Sequence, residues 1–379
     1  MNRKRNVALD IIRGVAALEV MFSHLRNFLY LDFHLLTQTS LLVRAFYYIT
    51  GFGHQAVIIF FVLSGYLVGG SVLDSRPDGF AIRYILNRLT RLWMVLVPCL
   101  LATYFWNTLG LKTGGGGYLH GLMNPPITSA PQYNGVHTEF STFVGNLMFL
   151  QTIVTPVYGD NGPLWSLANE FWYYMLFPLL FFGLSLSWRI SSMYRALLLI
   201  LAFLIILFLP SAIISGFFIW LFGALIYYIS NKSIPKLFTR FWFCALCLLA
   251  FFTLYHLSRV RAIPDILLGM VFAALLPIIL QFRQPPKYIV LLSMWLSDFS
   301  YTIYLAHFPL AAFLWYTFYS SERLSPSQAV TARLLASAAI IITYCFSMFW
   351  FFERNTDKLR LYFINTVLSK MNTTHKGDN

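Results

Sequence analysis

Apolar residues run along this chain in blocks separated by short polar segments. The blocks fall at 8–29, 54–73, 90–109, 164–186, 196–210, 212–230, 241–257, 263–281, 291–319 and 331–352. A helix of about 20 apolar residues crosses the hydrocarbon core of a bilayer. The pattern therefore predicts an all-α fold, a polytopic transmembrane helix bundle of about ten spans. A weaker run at 141–154 is short for a span and predicts an interfacial or re-entrant helix. The residues before the first block, Met1-Asn2-Arg3-Lys4-Arg5, look like the start of a signal peptide. The block itself holds Asp10, Arg13, Glu19 and His24, which a signal's apolar region does not tolerate, so it is expected to be a retained first helix.

The longest polar stretch, 110–163, contains Gly114-Gly115-Gly116-Gly117, Pro125, Pro126, Pro131 and Gly135. Such a segment is either flexible or a lid held by tertiary contacts. The expected organisation is one membrane domain over 1–353, a short cytoplasmic tail over 354–379 and no appended soluble domain.

Composition agrees with this picture. Of 379 residues 58% are hydrophobic and only 11% are charged, against roughly a quarter charged in a soluble domain. The net charge of +13 would suggest nucleic acid in a soluble protein. In a membrane protein it first reports topology, because cytoplasmic loops collect Lys and Arg. With the N-terminus inside and 141–154 not crossing, nineteen of the 27 Lys and Arg fall on inner segments, seven on outer ones, and Arg13 lies within a span. Letting 141–154 cross destroys the bias, so both termini are expected in the cytoplasm. A basic inner face also suits an anionic ligand, and no nucleic-acid partner is expected. The four cysteines, Cys99, Cys244, Cys247 and Cys345, sit in apolar runs. No second Cys or His pair completes a zinc site around Cys244 and Cys247, so no metal is expected.

Ionisable residues within spans are costly and are functional candidates. In the first span Arg13 and His24 lie eleven residues apart, within about 20° of one face and roughly 16 Å apart along the axis. Asp10 is placed to pair with Arg13 at i,i+3. The structural alternative is an ion pair and a hydrogen-bonded core histidine. Glu19 falls on the opposite face without an evident partner. The second span carries Phe60-Phe61-Val62-Leu63-Ser64-Gly65-Tyr66; the Ser-Gly pair suits close helix packing, or Ser64 lining a pocket. Arg88 and Arg91 open the third span at i,i+3, where guanidinium pairs suit phosphate or simply anchor the helix at the inner face. The fourth begins Trp165-Ser166-Leu167-Ala168-Asn169-Glu170-Phe171-Trp172-Tyr173-Tyr174, with Ser166, Asn169, Glu170 and Tyr173 on one face and Trp165 in an aromatic belt. The ninth contains Ser300-Tyr301-Thr302-Ile303-Tyr304-Leu305-Ala306-His307-Phe308-Pro309, where Ser300, Tyr304 and His307 share a face and His307 is expected at a depth similar to His24.

These motifs, in this order and with Leu9-Asp10-Ile11-Ile12-Arg13-Gly14-Val15-Ala16-Ala17 at their head, resemble the acyltransferase-3 family of integral-membrane O-acyltransferases across nearly the whole chain. The resemblance implies transfer of an acyl group, acetyl from acetyl-CoA as the usual case, to a hydroxyl of an envelope glycan such as the O-antigen of lipopolysaccharide, in a bacterial inner membrane. It implies His24 as the catalytic residue, with Arg13, Arg88 and Arg91 matching the family's arginines. The family often ends its last helix with Glu-Arg-Pro, where this chain has Glu353-Arg354-Asn355. Some relatives carry an extracytoplasmic hydrolase-like domain, which is not expected here.

The residues support a matching scheme. Arg88, Arg91 and Arg13, with Ser64, would bind acyl-CoA as a co-substrate entering from the cytoplasm. His24 would act as general base or take the acyl group itself, with Asp10 setting Arg13. Glu170, Trp165, Ser166, Asn169, Tyr173, Tyr304 and His307 would line the side of a lipid-linked glycan acceptor. A transporter or flippase for such a glycan is the rival reading. It is weakened by the absence of an internal repeat and of matching broken helices. A non-catalytic membrane partner of an enzyme complex is a third.

Overall fold

The computed structural model describes residues 6–75, 80–123, 127, 131, 134–185, 190–232, 241–259, 263–281 and 285–374. The basic residues read as inner anchors at positions 3–5, 76, 189, 236, 240, 283 and 376, and Arg261, Pro125 and Pro126 on the outer side, lie outside these.

Each expected apolar block is helical. The chain runs through α1 (Val7–Leu29), α2 (Leu41–Ile49), α3 (Gly53–Ser64), α4 (Gly70–Leu73), α5 (Phe80–Lys112), α6 (Gly116–Leu119), α7 (Phe140–Leu147) and α8 (Trp165–Leu184). It continues through α9 (Ser192–Phe208), α10 (Ser211–Lys232), α11 (Phe241–Arg259), α12 (Asp265–Ile279), α13 (Lys287–Asp298), α14 (Ser300–Phe318), α15 (Gln328–Phe351) and α16 (Thr356–Thr374). No strand ladder forms among the described residues. By length and composition four helices among the described residues can cross a membrane, or up to five if α13 and α14, bent by 51° at Phe299, count as one broken span. The first helix is long enough, but Asp10, Arg13, Glu19 and Arg26 lower its hydropathy.

Helix starts follow the local sequence. The Asn6 side chain accepts from the Ala8 and Leu9 amides at 3.1 and 3.2 Å and caps α1, and Ser191 and Ser327 cap α9 and α15 in the same way. Such caps satisfy amides that the helix itself leaves open. The expected helix at 141–154 is only Phe140–Leu147. It ends because Asn146 turns its amide onto the Thr142 and Pro156 carbonyls and accepts from the Tyr158 amide, while Phe149 and Thr152 adopt positive φ. The segment after Phe352, expected as a tail, contains α16, which packs along α5.

At the centre is α14, buried continuously from Thr302 through Tyr316, as expected of a helix that is hydrophobic all round. It packs against α1, α5 and α15, and α1 in turn packs against α3 and α13. Close approach depends on small residues. A β-carbon on Gly14 would collide with Leu296 of α13. Between α3 and α10 the contact is backbone to backbone: a β-carbon on Gly65 would overlap the Trp220 carbonyl oxygen, and one on Gly223 the Val62 carbonyl oxygen. Gly65–Gly69 winds there as a single π turn, a deformation that often marks functional sites.

Glu19 has its partner here: its carboxylate accepts from the Phe52 amide at 2.9 Å, at the start of α3. The side chain on the far face of α1 thus ties that helix to α3.

Overlap with a backbone carbonyl cannot be relieved by a rotamer change, and overpacking typically costs about 1–3 kcal/mol. Gly65→Ala and Gly223→Ala should each lower the melting temperature of the detergent-solubilised protein by several degrees. Gly116→Ala, where nothing lies within 4 Å, should leave it unchanged. Equal melting temperatures for all three would contradict the packing described.

Candidate active site

A cavity of about 740 Å³ opens between α1, α3, α5, α8, α14 and α16. That volume lies within the range usual for small-molecule sites. Its walls bring together Arg13, Ser64, Arg88, Arg91, Ser166, Glu170 and Tyr304, residues the sequence scatters over five helices. Asn87, Tyr174, Tyr301, Asp298, Glu353, Arg354, Asp357 and Arg360 also line it; of these the sequence singles out only Glu353 and Arg354, as the family's terminal motif and not as site residues. A second cavity, of about 450 Å³, shares Arg13, Leu67, Arg91, Asp298 and Glu353 with the first and reaches Asn6 and Asp10.

The arginines are held differently. Arg13 lies 3.9 Å from Asp10, whose carboxylate also accepts from the Ser297 hydroxyl at 2.9 Å; the pair ties α1 to α13. Arg88 lies over the rings of Tyr84 and Tyr174, 5.7 Å from each centroid. Arg91 faces the open cavity, and among the described residues no hydrogen bond or salt bridge engages it. The nearby charge that tempers it includes Glu353, a carboxylate held by the Thr302 hydroxyl at 2.6 Å. Guanidiniums that keep donors free inside an enclosed space suit a multiply charged anion.

Ser64, which also lines the cavity, is a hub. Its hydroxyl donates to Glu170 at 3.0 Å, accepts from the Trp220 indole at 3.1 Å and meets the Tyr174 hydroxyl at 3.1 Å. The Tyr174 hydroxyl also donates to Glu170. The motif around Ser64 therefore serves both readings of the sequence, with Gly65 packing on α10 and Ser64 in the cavity wall.

At the deep end, the Ser166 and Tyr304 hydroxyls are 2.6 Å apart. One turn further along α14 is His307, fully buried, whose Nε2 lies 2.8 Å from Nδ1 of His24. The depth match between the two histidines expected from topology becomes direct contact. His307 reaches His24 rather than open space. Asn169 and Tyr173 are also buried away from the cavity: Tyr173 packs among Phe61, Phe217 and Trp220. Trp165 packs edge-on against Phe61. The cavity face of α8 is Ser166, Glu170 and Tyr174, at the i,i+4,i+8 spacing of one helical stripe.

Two prolines explain how the bundle is pinned around this site. A helical proline leaves the carbonyl four residues earlier without its amide. Pro178 frees the Tyr174 carbonyl, which accepts from the Tyr84 hydroxyl at 3.0 Å. Pro309 frees the Leu305 carbonyl, which accepts from Asn161 Nδ2 at 2.8 Å and from the Cys99 thiol at 2.8 Å. Asn161 thus carries the long loop before α8 into the interior, onto α14 two residues before His307. Its neighbour Asp160 is buried there, accepts from Asn107 Nδ2 at 2.8 Å, and leaves Oδ2 without a partner among the described residues. Burial drives the Asp160 carboxyl up to about 7, the Asn107 hydrogen bond opposing the shift. Among the described residues no cluster of His, Cys, Asp and Glu could hold a metal ion.

A family model described as an acyltransferase domain matches residues 6–354. An O-acetyl transferase from Shigella phage Sf6 is 30% identical over 171 residues, which is 44% of this chain and 43% of that relative. The chain thus spans less than half the length of this curated relative. No solved structure matches the chain.

The raised carboxyl of Asp160 has a sign that can be tested. A carboxyl that titrates higher folded than unfolded contributes stability that is present below its ordinary range and lost as pH rises through about 7. The wild-type melting temperature should therefore fall relative to that of Asp160→Asn between about pH 5 and about pH 8. Parallel curves for the two proteins would show that Asp160 is not buried as described.

Proposed function

Because the chain belongs to the acyltransferase domain family, we propose that it is a membrane O-acyltransferase that moves acetyl from cytoplasmic acetyl-CoA to a hydroxyl of a lipid-linked envelope glycan, such as O-antigen. The observation that carries this reading is a cavity lined by Arg13, Arg88 and Arg91, whose Ser166–Tyr304 end lies one turn of α14 from the His24–His307 contact. Neither histidine lines that cavity, so the reading requires the donor's arm to pass the Ser166–Tyr304 pair and advance one helical turn, roughly 5.4 Å, to reach His24.

Each group then has a task. Arg88 and Arg91 bind the phosphates of the donor at the wide end, with Arg13 next along the path. Asp10 holds Arg13 against α13. The Ser64, Glu170 and Tyr174 network fixes one wall, and the Ser166–Tyr304 pair closes the deep end near the reacting carbonyl. His24 acts as general base on the acceptor hydroxyl. Oxygen attacks the thioester carbon, the carbon–sulfur bond breaks, and the proton taken by His24 passes to the departing sulfur. Donor access from one face and glycan access from the other make the transfer a through-membrane reaction. This arrangement rests on ten spans with both termini cytoplasmic, in a bacterial inner membrane.

The test is mass spectrometry of envelope glycans from cells carrying the wild-type gene, the His24→Ala variant or neither. The wild type should add the mass of an acyl group to one sugar. His24→Ala should abolish the addition while inserting into the membrane at the wild-type level. Wild-type acylation by His24→Ala would overturn the assignment.

A further inference from the structure

The contact between His24 and His307 carries more information than proximity. His307 Nδ1 lies 2.7 Å from the Ile303 carbonyl oxygen of its own helix. A carbonyl only accepts, so Nδ1 of His307 carries the hydrogen. In the neutral imidazole the other nitrogen then holds a lone pair. That nitrogen, Nε2, faces His24 Nδ1 at 2.8 Å, so the hydrogen between the rings belongs to His24. Neutral His24 is therefore the Nδ1–H tautomer, and its basic lone pair is on Nε2.

The surroundings hold this arrangement. His307 has no exposed surface, so water cannot replace either of its partners. The two imidazoles lie nearly parallel, with centroids 5.1 Å apart and planes at 11°. Phe308 stands edge-on to the His24 ring at 4.9 Å, and the ring of Phe28 backs Phe308 at 5.2 Å. His24 itself is only partly buried.

We propose that His307 is a positioning residue for the transfer reaction: it fixes the tautomer and ring orientation of His24 so that Nε2 is the atom that meets the acceptor hydroxyl. The proposal rests on His24 being the base. In the step, the hydroxyl O–H bond breaks and its proton goes to His24 Nε2. The oxygen–carbon bond forms, the carbon–sulfur bond breaks, and the proton moves from Nε2 to sulfur. Throughout, His24 Nδ1–H donates to His307 Nε2, so the transient imidazolium keeps one fixed acceptor. A neutral imidazole serves this purpose where a buried carboxylate would itself need compensation for lost hydration. His307 plays the part of the group that orients a base in hydrolytic triads, and the Ile303 carbonyl holds His307 in turn.

The experiment measures thiol release from acetyl-CoA by the purified full chain in lipid nanodiscs, with glycan-bearing membranes of the host as acceptor. His307→Leu removes the acceptor for His24 Nδ1–H and should lower kcat by on the order of 10²–10⁴-fold. The KM for acetyl-CoA should stay within about twofold, because the phosphate-binding arginines are untouched. His307→Gln places an amide oxygen near the position of Nε2 and should recover at least about tenfold in kcat over His307→Leu. His307→Asn, too short to reach His24 while still able to donate to Ile303, should resemble His307→Leu, and serves in its place if the leucine variant does not fold. Wild-type kcat in His307→Leu or His307→Asn, or a glutamine variant no better than these, would overturn the proposal. His24→Ala in the same assay separates the two claims. Activity there would overturn the base itself, whereas an inactive His24→Ala beside a fully active His307→Leu would overturn the positioning role alone.

Discussion

A guanidinium inside a helix bundle solvated by lipid must meet a counter-charge, an aromatic face or an internal aqueous space, because an uncompensated ion in an apolar interior is too costly to persist. This chain uses all three. Arg13 has Asp10, Arg88 has the faces of Tyr84 and Tyr174, and Arg91 has the cavity. The cavity is thus required by the arginines as much as by any ligand. Glu353 and Asp298 line the same space, so its field is mixed rather than uniformly positive, which limits the self-repulsion of the basic cluster before an anion arrives.

The same demand for satisfied polar groups organises the reaction axis. α14 is buried on every side, yet Pro309 leaves its Leu305 carbonyl without an amide. That defect draws in Asn161 and Cys99, and with Asn161 comes the loop that starts α8 deep in the bundle. The start of α8 supplies Ser166, which meets Tyr304 one turn from His307. A vacancy in one helix's hydrogen-bond ladder therefore fixes the depth at which two other segments present their side chains. In a bilayer this logic is stricter than in water, since no solvent can fill the vacancy.

Much of this was legible beforehand. Blocks of apolar sequence gave the helices, and helical geometry gave the Asp10, Arg13 and His24 line. Topology alone set His24 and His307 at one depth. What the sequence did not carry was rotation. Both faces of α8 are apolar and aromatic, so periodicity could not tell that Glu170 and Tyr174 face the cavity while Asn169 and Tyr173 face the core. Asp357 and Arg360 were hidden for a different reason, and Glu353 stood out only as part of the family's terminal motif: all three follow the last apolar block, and only tertiary packing brings them to the cavity. Glu19 looked anomalous because its partner is a backbone amide 33 residues away, a contact that no side-chain pattern announces. The helix at 140–147 stopped early through the side-chain bonds of Asn146, which compete with the helix for its own backbone groups.

The central claim is that the arginine-lined cavity receives the polyanionic end of a CoA donor. It is tested most directly by equilibrium binding of coenzyme A to the purified full chain in lipid nanodiscs, comparing wild type with Arg91→Gln. A charge-assisted hydrogen bond contributes about 1.5–3 kcal/mol. Loss of Arg91 should therefore weaken binding by roughly ten- to a hundredfold. Equal affinity for coenzyme A in the two proteins would contradict the account.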